Sequence, residues 1–268
     1  MTVLFIDASI GLAGDMLLAA FMDLGVPREI VEEPFLRMGL GKSYSLSISE
    51  SHSFGLRGLK VNVLGLENRT SSVPFYEIDE KIRSFPWKES LRDKVLKVFT
   101  ALAAAEASVH GCSIEKVHFH ELGSMDALIE VAGICAAIEY LKPIQVICSI
   151  PPAGSGMIKT SHGFLPVPVP VVIALAKKYH IRLGVGTELP KGELTTPTGL
   201  ALMAVLVDRF GLPDAFDLES YGIGLGQRDF GMPNFLRVCL LRGAESSDFE
   251  NKNANLSRQY LIIQEAWI

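Results

Sequence analysis

The first 25 residues combine a strand pattern, a loop of small residues and a helix pattern, and this order constrains the fold most strongly. Val3 to Ile6 is an apolar run of strand length, and the residues from Asp7 to Gly14 are mostly small. From Asp15 to Leu24 the apolar side chains recur at helical spacing, and Gly25 ends the pattern. A strand that passes through a tight loop into a helix is typical of folds in which helices pack on a sheet.

Helix and strand patterns alternate along the rest of the chain. Strands are predicted at Tyr44 to Ile48, Leu59 to Leu64, Ile144 to Cys148 and Leu236 to Leu241, and helices at Lys88 to His110, Met125 to Leu141, Val171 to Tyr179 and Thr198 to Phe210. Pro34 is expected to interrupt the helix pattern before it, and Pro151 to Pro170 is expected to be an irregular connection. We therefore predict an α/β fold, with mixed α+β as the alternative, in which helices flank a sheet.

The domain organisation predicted from polarity is simple. Residues 1–242 form the main region, with a possible break into two subdomains near residues 67–74, where the chain is polar. Residues 243–268 are polar and are expected to form a loose tail.

Composition excludes several classes of protein. A net charge of −5 without a cluster of Lys and Arg argues against nucleic-acid binding. The longest apolar run, Leu165 to Ala176, is broken by prolines and is shorter than the ~20 residues that a membrane helix needs. The start of the chain does not resemble a secretory signal, and the four cysteines are scattered. We therefore expect a cytoplasmic protein without a membrane partner.

The stretch from residue 118 to residue 130 holds the densest group of metal-binding side chains: His118, His120, Glu121, Asp126 and Glu130. In an extended segment the side chains at i and i+2 share one face, so His118 and His120 are predicted to point the same way. Imidazole binds zinc, nickel, copper and iron, and carboxylates add oxygen ligands. The alternative is a pair of hydrogen-bonded histidines at a strand end, with Asp126 stabilising a helix N-terminus.

Asp7 and Asp15 lie at the two ends of the loop after the first strand. Loop amides before a helix can hold an anion, and either carboxylate could hold a metal. The loop lacks the G-K-[ST] of a Walker sequence. The alternative is a tight turn in which Asp15 stabilises the first turn of the helix.

Three further segments contain candidate site residues. His162, between a serine and a glycine, could be a metal ligand or general base, or an exposed histidine in an irregular connection. Thr195 and Thr196 precede an apolar helix; one is expected to cap it, and a spare hydroxyl could contact a phosphate. Gly222 to Gly226 is a poor dinucleotide fingerprint and is expected to be a glycine-loosened strand or bulge, followed by Arg228 as an anion contact.

Five motifs occur in one order: Gly14-Asp15-Met16 after the Asp7 strand, Val117 to Asp126, His162 to Pro170, Gly192 to Gly199, and Tyr221 to Gly224. The series resembles the LarC family of nickel-insertion proteins, which mature the nickel-pincer nucleotide cofactor. The resemblance covers about residues 1 to 242. Five motifs in register are far more specific than any one of them.

The resemblance implies a nickel chelatase, of the lyase class, that acts on pyridinium-3,5-bisthiocarboxylic acid mononucleotide and leaves a carbon–nickel bond. Ni(II) would be the substrate metal, and CTP with Mn or Mg would be required. On the motif positions we place nickel handling at His118, His120, Glu121 and His162, catalytic roles at Asp7, Asp15 and Asp126, and phosphate contacts at Thr195, Thr196 and Arg228.

Two departures from the family pattern limit these expectations. Many relatives carry a histidine-rich run in the region that matches Glu67 to Phe75, which contains no histidine here, so a nickel-storage role is not expected. Relatives also continue into a C-terminal domain associated with CTP binding. We therefore expect activity to require that domain on another chain, and whether this polypeptide is an enzyme alone stays open. The rival hypotheses are a metal-dependent phosphate-ester hydrolase and a non-catalytic nickel-binding assembly subunit, and a homo-oligomer is compatible with each.

Overall fold

A computed structural model describes residues 2–65, 72–119, 125–214 and 216–242 of the chain. Its helices are α1 (Gly14–Asp23), α2 (Arg28–Arg37), α3 (Phe75–Ser84), α4 (Glu89–His110), α5 (Met125–Leu141), α6 (Pro170–Lys178) and α7 (Pro197–Leu206). Its strands are β1 (Thr2–Asp7), β2 (Tyr44–Ser53), β3 (Leu56–Gly65), β4 (Val73–Pro74), β5 (His118–Phe119), β6 (Gln145–Cys148), β7 (Met157–Thr160), β8 (Gly163–Pro166), β9 (Arg209–Phe210), β10 (Asp217–Leu225) and β11 (Phe235–Arg242). The prediction of a mixed α/β fold is confirmed.

The main sheet has seven strands in the order β2-β3-β10-β11-β1-β6-β9. Strand β1 runs antiparallel to β11 and parallel to β6, while β10 runs antiparallel to β11 and parallel to β3. The first strand, β1, therefore lies inside the sheet, and the last strand, β11, pairs with it. This arrangement brings the loop after β1 close to the connection between β10 and β11.

Helix α1 packs on β10, β3 and β11, and two glycines of β10 make this contact close. A Cβ atom at Gly224 would overlap the carbonyl oxygen of Met16, and one at Gly222 would overlap backbone atoms of Ala20 and Leu24. The prediction that these glycines loosen the strand is therefore wrong. They form a regular part of β10, and their missing side chains let the helix backbone lie directly on the strand.

The core lies between this sheet and a layer of helices in which α4 and α5 are largely buried. The helix predicted at Met125 to Leu141 matches the bounds of α5. Its buried residues lie on most sides of the helix and include Gly133 and Ala137. Gly133 faces α2, where its Cβ would lie 3.0 Å from Val31 Cγ1. A helix that is covered on most sides carries little amphipathic signal.

Two helix predictions fail where tertiary contacts outweigh local preference. Pro34 does not interrupt α2, whose Val31 and Phe35 are buried on either side of it. The Pro34 carbonyl also accepts the indole N–H of Trp87 at 2.8 Å. The second failure is the end of α7. This helix stops at Leu206 and not at Phe210, because the following residues join the edge of the sheet beside β6.

The segment Pro151 to Pro170 was expected to be irregular, and the structure corrects this. It contains the antiparallel pair β7 and β8, with Met157 opposite Pro166 and Thr160 opposite Gly163. The possible break near residues 67–74 lies partly outside the described residues, and its described end pairs with His118–Phe119 as strand β4. The predicted tail, residues 243–268, also lies outside them. Within the described residues, no helix is both long and apolar enough to cross a membrane.

Candidate functional site

The first turn of α1 is held in place by a second segment of the chain. The amide of Leu12 donates to the carbonyl of Leu194 at 2.7 Å, and the amide of Thr196 donates to the carbonyl of Leu12 at 2.9 Å. The loop after β1 therefore pairs with the residues that precede α7. Asp15, in the first turn of α1, is fixed beside this junction.

Glu130 of α5 lies against the same turn. A Cβ atom at Gly14 would overlap Glu130 Oε2, so the carboxyl group occupies space that only a glycine leaves open. Asp126 lies one turn earlier on α5, as its spacing predicted. We call Asp15, Asp126 and Glu130 the carboxyl cluster.

The three acids of the carboxyl cluster all hold protons more tightly than usual. Burial raises the pKa of Glu130 to about 8, and the charges of Asp15 and Asp126 add to the rise. Burial also raises the pKa of Asp15 and of Asp126. Glu130 is therefore largely protonated near neutral pH. A carboxyl group whose pKa lies near the ambient pH can both give and take protons.

Polar groups from the connection between β10 and β11 face Asp15 from the other side. The Asp15 carboxylate is hydrogen-bonded to the Gln227 side chain, and the charge of Arg228 lowers its pKa against the effect of burial. Gln227 also donates to the carbonyl of Val61 at 3.2 Å, which ties this connection to β3. Buried Asn234 donates to the carbonyl of Arg228 at 2.9 Å and fixes the turn.

Arg228 lies at the open edge of the carboxyl cluster. Its guanidinium is 3.5 Å from Glu193 Oε2, and its side chain is 55% exposed while that of Glu193 is 12% exposed. Because the guanidinium is more than half exposed, water screens its attraction to Glu193, and the cation can exchange partners at modest cost. The arrangement combines acids of raised pKa with a cationic edge.

Asp7, the other acid of the loop, has a different environment. Burial raises its pKa, but hydrogen bonds from Ser9 and Arg237 and the positive charge of Arg237 outweigh that effect, so the net pKa is below the ordinary value. Arg237 is its cross-strand neighbour on β11, with Nε 3.0 Å from Asp7 Oδ2. Asp7 is thus a charged carboxylate engaged with a cation.

The two threonines before α7 both use their hydroxyls within the protein. Thr196 caps α7, accepting from the amide of Gly199 at 3.2 Å, so the expectation that one hydroxyl caps the helix is confirmed. Thr195 is buried and donates to the carbonyl of Pro152 at 2.7 Å. These bonds hold the segment that pairs with Leu12.

The structure describes two of the three predicted histidines, His118 and His162. His118 is exposed at the start of β5, with buried Phe119 turned inward, whereas His120 and Glu121 lie outside the described residues. His162 is exposed in the turn between β7 and β8 and contacts the ring of His110. Among the residues that the structure describes, no three His, Cys, Asp or Glu side chains form a group that could hold a metal ion.

Two residues of the site, Gln227 and Asn234, had no assigned role in the sequence analysis. Glu130 was predicted there as a metal-binding side chain one helical turn from Asp126, and Glu193 lay inside a predicted motif. Gln227 and Asn234 carry no motif signal, because their role depends on how the turn between β10 and β11 meets α1. A groove of about 970 Å³ between α2, α4, α5 and β6 contains none of the predicted site residues.

Comparisons with known proteins agree with the resemblance seen in the motifs. The sequence profile of a family described as nickel insertion protein matches residues 4–268. A pyridinium-3,5-bisthiocarboxylic acid mononucleotide nickel insertion protein from Clostridium kluyveri is 34% identical, over 94% of this chain and 65% of its own length. A protein of the same name from Clostridium acetobutylicum is 32% identical, over 94% of this chain and 67% of its own.

A relative from Synechococcus sp. (strain JA-3-3Ab) is 38% identical over 90% of this chain and 60% of its own length. The chain thus spans between 60% and 67% of the length of these three relatives. No solved structure matches it.

Proposed function

The chain belongs to the nickel insertion protein family, and on that premise we propose that it takes part in inserting nickel into pyridinium-3,5-bisthiocarboxylic acid mononucleotide. The names of the two Clostridium relatives support this substrate. The observation that carries the proposal at the level of side chains is the carboxyl cluster, in which Glu130 has a pKa of about 8.

A proton acceptor is required if nickel becomes bonded to a ring carbon. The electron pair of the C–H bond then forms the carbon–nickel bond, and the proton must leave to a base. A base works best when its pKa lies near the working pH, which is the case for Glu130. We propose that the ionised form of Glu130 takes this proton. Asp126, which is exposed, would then accept the proton from Glu130 and release it to solvent.

The cationic edge fits the anionic part of the substrate. A mononucleotide carries a phosphate, and an arginine guanidinium binds phosphate through paired hydrogen bonds. We propose that Arg228 exchanges Glu193 for the substrate phosphate when the mononucleotide binds. Thr195 and Thr196 then act through the segment that they hold, because their hydroxyls already bind within the fold.

Nickel itself is a substrate in this reaction, and its delivery is assigned to the histidine motif. His118 is exposed and can take a metal from solution, with His120 and Glu121 following it in the sequence. The same proposal includes CTP with Mn or Mg, the C-terminal part of the longer relatives acting from another chain, a homo-oligomeric state and a cytoplasmic location.

The test is nickel incorporation by the purified chain. The mononucleotide, Ni(II), CTP and Mn are supplied with and without the C-terminal domain of a relative, and the nickel product is measured by mass spectrometry. We expect incorporation with the domain present, a loss of about 100-fold or more for Glu130→Gln, and no change for the exposed Glu29→Gln control. Folded protein that incorporates no nickel under either condition would refute the proposed function.

A further inference from the structure

A pair of histidines on the surface is left unexplained by the carboxyl cluster. His110 is the last residue of α4 and His162 lies in the turn between β7 and β8, and their ring centroids are 5.1 Å apart at an interplanar angle of 46°. The two residues are 52 positions apart in the sequence, so the fold brings them together. We call them the histidine pair.

The spacing of the histidine pair matches shared coordination of one ion. A metal about 2.1 Å from one nitrogen of each ring lies about 3.2 Å from each centroid, so an angle of about 90° to 110° at the metal separates the centroids by about 4.5 to 5.2 Å. The observed 5.1 Å falls within this range. Both residues are exposed, so the contact between the two rings buries little surface.

Glu106 supplies the support that metal-binding histidines usually have. It lies one turn before His110 on α4, and its Oε2 is 3.4 Å from His110 Nε2. A carboxylate within ion-pair distance of one ring nitrogen orients the imidazole and leaves the other nitrogen, Nδ1, for a metal. The Glu106 side chain is 13% exposed and that of His110 is 41% exposed, so the carboxylate lies beneath the imidazole.

The backbone around both rings is also fixed in a way that suits a cation. α4 ends at His110 with Gly111 in the left-handed conformation, and the unpaired carbonyls at a helix C-terminus favour positive charge. On the other side, the amide of His162 donates to Thr160 Oγ1 at 3.1 Å, which holds the turn between β7 and β8.

We propose that His110 and His162 bind one divalent transition-metal ion, with Glu106 positioning His110. Two protein ligands agree with the finding that the described residues contain no metal group of three, because Glu106 acts through His110 and not as a ligand. The other coordination positions stay open for water or an incoming ligand, so the ion binds reversibly and can be passed on. That the ion is nickel rests on the proposed function, whereas the binding of a transition metal does not.

The test is a titration of the full chain with Ni(II) alone, by calorimetry, without mononucleotide or CTP. We expect His110→Ala and His162→Ala each to remove the same single equivalent of nickel. Glu106→Gln keeps that equivalent but weakens its affinity about tenfold or more. His52→Ala, at an exposed histidine of β2, is the matched control and leaves the titration unchanged.

Spectroscopy distinguishes shared ligation from an indirect effect. With Cu(II) as the probe, electron paramagnetic resonance should show an ion with two imidazole nitrogens in the wild type, and this signal should be absent from either alanine variant. Titrations of His110→Ala and His162→Ala that match the wild type in stoichiometry and affinity overturn the proposal. A chain that shows the expected titration but inserts no nickel refutes the proposed function and leaves the histidine pair standing.

Discussion

The two aspartates at the ends of the loop after β1, Asp7 and Asp15, are eight positions apart in the sequence and have opposite electrostatic environments.

 

Asp7 is the cross-strand neighbour of Arg237, and its pKa is lowered by the hydrogen bonds and charge that it receives, despite burial. Asp15 lies near Glu130, on whose pKa its charge acts, and burial raises the pKa of Asp15 itself. The fold thus lowers the pKa of one aspartate and raises that of the other.

This difference shows that burial alone does not decide what a carboxyl group can do. Both groups lose water, but only Asp7 gains a cation in direct contact. In the carboxyl cluster the nearest charges are themselves acidic, and Arg228 acts on Asp15 from an exposed position. A buried acid with a cation suits a structural role, while buried acids that face one another suit proton transfer.

The largest expected effect is on stability at high pH, and it tests the raised pKa of Glu130. The pKa of folded Glu130 is about 8 against an ordinary 4.5, so its stabilising contribution is complete below about pH 4.5 and is lost as the pH rises through 8. Glu130→Gln should remove this loss and raise the free energy of unfolding at pH 9 by about 3 to 5 kcal/mol, with little change at pH 4.5. Urea unfolding at both pH values measures it, and equal gains at both would contradict the assignment.

A smaller effect with the opposite pH dependence is expected for Asp7. Because the pKa of Asp7 is lowered, its contribution is present above the ordinary value and is lost as the pH falls through the folded value. Asp7→Asn should therefore cost about 1 to 2 kcal/mol near pH 7, from the lost ion pair with Arg237, and much less below pH 3. Urea unfolding of the two proteins across this range provides the measurement. A cost that stays constant down to pH 2.5 would show that packing, and not charge, is responsible.

Gly14→Ala sharpens the comparison by moving a carboxyl group without removing it. The new methyl group would occupy the place of Glu130 Oε2, so this carboxyl group must turn away from Asp15. We expect the pKa of Glu130 to fall toward its ordinary value, with a net change in stability of about 1 kcal/mol or less, since alanine favours the helix. Carboxyl NMR titration of Glu130 follows the pKa, and Gly184→Ala, whose Cβ would have only ordinary contacts, is the control.

The smallest effect on stability is expected at the cationic edge. Arg228→Gln removes the exposed cation of the pair with Glu193, and because solvent screens this guanidinium, the free energy of unfolding should change by less than about 0.5 kcal/mol. If Arg228 holds the substrate phosphate, KM for the mononucleotide should rise about tenfold while kcat changes much less. Steady-state kinetics with the C-terminal domain supplied would test this, and an unchanged KM would remove Arg228 from the proposed binding site.

The sequence predicted the elements of the fold well where their signals are local. The strand before Asp7, the helix closed by Gly25 and the helix Met125 to Leu141 follow from apolar spacing and stop signals. It failed at Pro34 and at the end of α7, because a tertiary hydrogen bond or a sheet edge decides these positions. No local pattern reports contacts that form only after folding.

The candidate site was predicted only in part for the same reason. Helical spacing placed Asp126 and Glu130 on one face, but the approach of Glu130 to Gly14 depends on how α5 packs on α1. The contact between His110 and His162 depends on the hairpin that was expected to be irregular. Residue types therefore indicated the chemistry, while the partners of each residue came from topology.

The glycines at positions 222 and 224 have a mechanical consequence. At these two positions α1 and β10 touch backbone to backbone, so no side chain lies between them there whose change of rotamer could alter their distance. Asp15 and Gln227, which follows β10, both lie at the Gly224 end of this contact and should therefore move as one stiff unit. Any opening that admits a substrate must then come from α5 or from the segment before α7, whose contacts with α1 depend on side chains and a few hydrogen bonds.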